Sequence, residues 1–169
     1  AASDVYKRQF LFSFYTRGMS FIDMAYLKKS DLKNGIITYR RRKTGQQLTV
    51  KWEKCMEDII AKYRENTATR YLLSIITNPC SDERTQYRNA ICRINVALKE
   101  VVGLAGLNIP LTMHVARHCW ASVAKSKNIP LSVISEGMGH DSEETTRIYL
   151  ASLDTSVVDK ANSLILKDF

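Results

Sequence analysis

Leu111-Thr112-Met113-His114-Val115-Ala116-Arg117-His118-Cys119-Trp120-Ala121-Ser122, then Gly137-Met138-Gly139-His140-Asp141-Ser142-Glu143-Glu144-Thr145-Thr146-Arg147-Ile148-Tyr149-Leu150, are the stretches that decide how this chain of 169 residues is read. His114 and Arg117 are three residues apart, so on a helix they share a face. A guanidinium can grip two phosphate oxygens at once. His114 can donate to the same phosphate or take a proton from a phenol. His118 is expected to point elsewhere, as a helix-packing residue. His140 follows Gly139 at a helix–helix corner. Tyr149 comes nine residues later, across a polar stretch that reads as a helix start capped by Ser142. A Tyr in the company of Arg and His suggests a phenolate nucleophile for a phosphodiester. Its ordinary pKa is near 10, so nearby cations must favour the phenolate. Seven other tyrosines show that a core Tyr is common in this chain, but all three of its His fall in these two stretches.

Working outward, helices are expected at about 112–126, 131–137 and 143–151, with Pro130 in the first turn of the second. Upstream, Arg84 to Val102 reads as a long helix followed by a loop to Pro110, and Glu53 to Glu65 as a helix with Met56, Ile59, Ile60 and Tyr63 on one face. Between these two, Tyr71 to Ile76 is a short apolar run, strand or helix, and Asn78 to Asp82 a loop. Asn34-Gly35 is a turn signal. Ile36 to Tyr39 and Leu48 to Val50 read as a β-hairpin with Lys43 at its tip. Thr16-Arg17-Gly18 is a turn between a helix ending at Tyr15 and a second helix, capped by Ser20, that runs to about Leu27. Thr155 to Leu166 is a last amphipathic segment. Ala1 to Gln9 shows no apolar periodicity and is set aside as a tag or foreign leader. The expected class is α+β, mostly α, with one small antiparallel sheet.

The chain is large enough for one domain with a real core. At 45% hydrophobic and 25% charged it has a globular composition, and no apolar run approaches the ~20 residues of a membrane helix. Cys55, Cys80, Cys92 and Cys119 form no CxxC pair, which argues for reduced thiols in the cytosol and against a zinc site or disulfide framework. The net charge of +8 favours a polyanionic partner, usually nucleic acid. Arg40, Arg41, Arg42 and Lys43 form one run; the three Arg are candidate DNA-binding residues, or else a solvated strand edge. The acids beside Tyr149 (Asp141, Glu143, Glu144) suit a helix N-terminus.

The two quoted stretches resemble the catalytic domain of the tyrosine recombinases, the phage-type and transposon integrases, and the resemblance runs from about Phe10 to Asn162. It implies that Tyr149 attacks a scissile phosphate, giving a 3′-phosphotyrosyl link and a free 5′-hydroxyl. The link stores the bond energy, so no nucleotide cofactor is needed, and no metal is implied. Arg117, His114 and His140 would serve the phosphate. Lys43, in RRRKTGQQLTV, resembles the hairpin lysine of the family and would protonate the leaving 5′-oxygen. The implied partners are double-stranded DNA at recombination sites, further copies in a tetramer on DNA, and accessory DNA-bending proteins. The implied place is the bacterial cytoplasm. Such enzymes usually carry N-terminal DNA-binding domains, so residues 10–169 would be the catalytic domain of a longer protein.

One position departs from the family pattern. Where a first catalytic Arg is expected, Arg17-Gly18-Met19-Ser20-Phe21-Ile22-Asp23 places Ser20. Arg17, three residues earlier, is the candidate replacement. A subgroup of integrases from Bacteroides-type mobile elements has a similar RGMSF stretch, which points to integration or excision of such an element. Two rivals are a type IB topoisomerase-like enzyme, disfavoured by the spacing of Gly139-His140 to Tyr149 and the short length, and a non-catalytic DNA-binding module, favoured by Ser20.

Overall fold

The computed structural model describes residues 2–62, 68–105 and 110–152. Its helices are α1 (Ala2–Tyr15), α2 (Phe21–Ala25), α3 (Lys54–Ala61), α4 (Glu83–Ala105), α5 (Met113–Ser126), α6 (Leu131–Met138) and α7 (Glu143–Ala151). Its strands are β1 (Leu32–Lys33), β2 (Ile36–Arg40) and β3 (Gln47–Lys51). Two compact units result, Ala1–Trp120 and Ala121–Phe169. The expected segment Thr155 to Leu166 lies outside the described residues.

In the first unit the three strands form an antiparallel sheet in the order β1-β2-β3, with Leu32 opposite Ile37 and Arg40 opposite Gln47. Asn34 and Gly35 both take positive φ, 51° and 71°, as a tight hairpin turn of this hand requires. The turn was legible, but β1 is two residues long and carries no alternating pattern of its own. On β2 the buried positions alternate: Ile37 and Tyr39 face the core, and Arg41 just beyond the strand continues that parity. The core gathers Phe12, Met24, Leu27, Ile37, Met56, Leu73, Ile94 and Leu98, all almost fully buried.

Several boundaries differ from the sequence reading. Helix α1 begins at Ala2, so residues set aside as a leader are helical, and Gln9 among them is buried. Helix α2 stops at Ala25 because Leu27 turns away to pair with a distant segment: its carbonyl accepts the Leu72 N–H at 2.8 Å, and the Lys29 N–H reaches the Arg70 carbonyl at 2.9 Å. That pairing also explains Tyr71 to Ile76, which is neither strand nor helix. Tyr71 makes a single bridge to Lys28, and Leu73, Ile75 and Ile76 are buried through an irregular backbone. Helix α3 ends at Ala61, and Tyr63 lies outside the described residues. Helix α4 runs on through Gly103 to Ala105 where a loop was expected; an open-sided Gly costs a helix only about 1 kcal/mol.

In the second unit α6 and α7 meet at a corner made by Gly139. Its left-handed conformation, φ 62°, lets the His140 N–H return to the Ser135 carbonyl at 3.0 Å. Pro130 is the N-cap of α6 rather than a residue of its first turn. Ser142 caps α7 as expected, its Oγ accepting the Thr145 N–H at 3.2 Å.

Candidate active site

Two groups of the expected residues form, one in each unit. In the first unit Arg117 is 7% exposed, and its guanidinium donates to the Gly18 carbonyl at 3.1 Å. This contact needs a glycine. A Cβ on Gly18 would lie 2.7 Å from the Arg117 Cα, and the residue's φ of 74° is itself left-handed. The turn that delivers it is fixed by the end of α1. The Gly18 N–H bonds the Ser13 carbonyl at 2.8 Å, and the Ser13 hydroxyl bonds the Met19 carbonyl at 2.7 Å.

His114 and Arg117 line a cavity of about 360 Å³ together with Gly18, Ser20, Tyr87 and Asn95. Asn95 Oδ1 accepts the Met113 N–H at 3.1 Å, tying the start of α5 to α4. The His114 imidazole is held below its usual pKa by burial, then by Arg117 and Lys43. The hairpin lysine therefore acts on the same ring as α5's arginine. Neutral imidazole is the form able to accept a proton. His118 does not point away from this group. Its ring packs edge-on against His114 with centroids 4.5 Å apart, as residues i and i+4 on one helix allow. Burial, His114 and Arg117 lower its pKa too.

Ser20 is the N-cap of α2 and is fully occupied there. Its hydroxyl accepts the Asp23 N–H at 3.3 Å and donates to Asp23 Oδ2 at 2.6 Å. The buried Asp23 uses Oδ1 to accept the Arg42 N–H at 2.9 Å, which pins the hairpin to α2. Arg17 is half-buried, with φ 61°.

The basic run divides instead of forming one edge. Arg40 donates to the Gly45 carbonyl at 2.6 Å across the hairpin. The Arg42 guanidinium stacks on the Tyr26 ring at 3.6 Å. Arg41 is 8% exposed, on the core-facing side. Lys43 sits exposed in the loop between β2 and β3. Tyr39 reports where the charges gather. Burial pushes its phenol far above the usual range and Asp23 adds to this, while Arg41, Arg117 and Arg17 pull it back. Three guanidinium groups thus act on one buried hydroxyl. Arg41's place among them was hidden in a run of four cations; strand parity through Ile37 and Tyr39 was the signal that could have found it.

In the second unit the Tyr149 ring lies edge-on to His140, centroids 5.5 Å apart. His140 Nδ1 is 2.8 Å from the hydroxyl of Thr146, which is completely buried. Thr146 and Tyr149 are three residues apart on α7, so one helical face presents both to the imidazole. Tyr149 as a whole is half-buried.

Residues 1–156 match the model of the phage integrase family. A comparison with curated protein sequences gives no match. Among solved structures the chain is similar to the XerA recombinase, with a TM-score of 0.64 and 22% identity over 95% of this chain and 61% of that one. It is also similar to the XerH site-specific recombinase bound to a palindromic difH substrate in a post-cleavage complex (TM-score 0.65, 21% identity, 94% of this chain, 45% of that one). A third is a lambda integrase dimer bound to a COC′ core site (TM-score 0.55, 19% identity, 88% of this chain, 57% of that one). The chain spans less than two thirds of each, and at these identities the likeness is one of fold: a mostly helical domain with a small antiparallel sheet.

Proposed function

Because the chain belongs to the phage integrase family, we propose that it is the catalytic domain of a tyrosine site-specific recombinase, acting in the integration or excision of a Bacteroides-type mobile element in the bacterial cytoplasm. The observation that carries this reading is that His114 and Arg117, one turn apart on α5, line a single cavity with Gly18 and Ser20, and the hairpin's Lys43 helps to lower the pKa of that histidine. The substrate is double-stranded DNA, bound by several copies of the parent protein, with accessory DNA-bending proteins.

In the reaction the Tyr149 oxygen attacks a backbone phosphorus as its phenolic proton passes to a base, a role for which an imidazole of lowered pKa such as His114 is suited. The bond to the 5′-oxygen breaks, and Lys43 gives that oxygen a proton. A 3′-phosphotyrosyl link and a 5′-hydroxyl result. Attack by the 5′-hydroxyl of another strand reverses each transfer and restores the phenol. Arg117 neutralises the non-bridging oxygens as charge builds, and His140 donates a hydrogen bond to them. Arg17, in the turn whose Gly18 carbonyl meets Arg117, supplies the second guanidinium in place of Ser20, or else Arg41, which β2 carries to the core-facing side.

A second reading, a DNA-binding module without cleavage, is favoured by Ser20 and its use as a cap. One experiment separates the two. The protein is incubated with a nicked duplex and resolved in SDS. Recombinase chemistry gives a covalent protein–DNA adduct that Tyr149→Phe abolishes without loss of DNA binding. No adduct, or equal adduct from Tyr149→Phe, overturns the assignment.

A further inference from the structure

A second cavity, of about 500 Å³, adjoins the first and takes no part in the chemistry above. It is lined by Ile22, Tyr26, Arg42, Arg84, Tyr87 and Arg88. Arg84, Tyr87 and Arg88 fall at i, i+3 and i+4 of α4, so they share one face. Arg42 arrives from the hairpin and is placed firmly: its amide is held by Asp23 Oδ1 at 2.9 Å, and its guanidinium rests 3.6 Å from the Tyr26 ring centroid. Arg84 and Arg88 are exposed. Among the described residues none of the three guanidinium groups is in an ion pair with a carboxylate, and no acid lines the cavity; the neighbouring Glu83 faces Arg70 and Tyr71 instead. Asp82 acts on Arg84 and Asp23 on Tyr87 from outside the hollow, and three guanidinium groups around it still favour an anion between them.

The two cavities share Ile22 and Tyr87 and follow one face of α4. Arg88 and Asn95, which line one cavity each, are separated by seven residues, about 10 Å of helix at 1.5 Å per residue. A DNA strand advances 3.4 Å per nucleotide along the duplex axis, so that distance is about three nucleotides.

We propose that Arg42, Arg84 and Arg88 hold one backbone phosphate of the DNA strand, about three nucleotides from the scissile phosphate, and so set the register of the strand over Arg117. Tyr26 and Tyr87 pack against its sugar. The inference rests on the reading of the protein as a DNA-acting enzyme, and its test is independent of cleavage.

The test measures affinity for a 30-base-pair duplex of mixed sequence against salt, for the wild-type chain and for Arg84→Ala, Arg88→Ala, the double variant and Arg93→Ala. Arg93 lies on the opposite side of α4, nine residues from Arg84, and serves as the charge-matched control. One phosphate releases about one counterion. The single variants should therefore each flatten the salt slope by up to about one unit, and the double variant by no more than about one. Arg93→Ala should leave the slope unchanged. Slopes for Arg84→Ala and Arg88→Ala that match Arg93→Ala overturn the proposal, as does an additive loss in the double variant. Inorganic phosphate alone, followed through the Tyr87 ring resonances, should show no saturable binding. Saturable binding lost in the double variant would assign the hollow to a free phosphate and overturn the DNA assignment. If wild type forms the adduct but the slopes do not change, only this site falls. If the slopes change but no adduct forms, only the reaction falls.

Discussion

Replacing Gly18 by Ala perturbs the site through a single methyl group, and the structure sets its size. The residue's φ is +74°, where an L side chain costs about 1–2 kcal/mol. Loss of chain entropy in the unfolded state returns about 0.4–1 kcal/mol, leaving roughly 1 kcal/mol. The added Cβ would also sit 2.7 Å from the Arg117 Cα and Cγ, where backbone must yield, a strain of about 1–3 kcal/mol. Gly35 provides the comparison. Its φ is +71°, nearly the same, but nothing lies within 4 Å of its Cβ position. Gly35→Ala should therefore show the dihedral cost alone, about 1 kcal/mol, and Gly18→Ala about 2–4 kcal/mol. For a chain of this length these become losses in Tm of about 2–4 °C and about 5–15 °C. Thermal unfolding by circular dichroism reads both. Adduct yield at a temperature where Gly18→Ala stays folded should also fall, because Arg117 is displaced, while Gly35→Ala keeps wild-type yield. Equal Tm losses for the two variants would refute the close approach of the turn to α5.

Arg17→Ala and Arg41→Ala separate the candidates for the second guanidinium: the one that lowers single-turnover cleavage by about 10²-fold at saturating DNA supplies the charge, and normal cleavage by both removes the idea. Lys43→Ala should raise the His114 pKa, since Lys43 is one cause of its depression. A depressed histidine binds fewer protons folded than unfolded, so its contribution to stability is present above about 6.5 and is lost as pH falls below that value. In Lys43→Ala that acid-side loss should shrink, and an NMR titration of the His114 ring showing no change would count against the hairpin's approach. Thr146→Val removes the partner of His140 Nδ1 at little change in volume. It should cost about 1 kcal/mol of stability and lower adduct yield, and unaltered cleavage would show that the imidazole needs no such support.

What was legible in the sequence was set by bonds between near neighbours. Ser20, Ser142 and Gly139 each act on backbone groups within five residues, and Asn34-Gly35 need only their own positive φ to turn the chain, so their roles show in a short window. The pairing of His114 with Arg117 follows equally from helical spacing. The rest depends on partners far along the chain. Leu27 leaves its helix to meet Leu72, and nothing near either residue announces the other. Arg41 is buried because β2 carries it to the core side, whereas a row of four cations looks uniformly exposed. His118 follows Arg117 directly, which on a helix turns it away from that side chain, but its i+4 relation brings it back onto His114.

The bonds around Ser20 couple two parts of the molecule. Its hydroxyl caps α2 and donates to Asp23, whose other oxygen holds the hairpin that carries Lys43. An arginine placed at this position would lose the cap and remove a donor from a buried carboxylate. Any charge it brought would come with a loosened anchor for the lysine. A second positive charge is therefore introduced at less cost from a neighbouring position than at Ser20 itself.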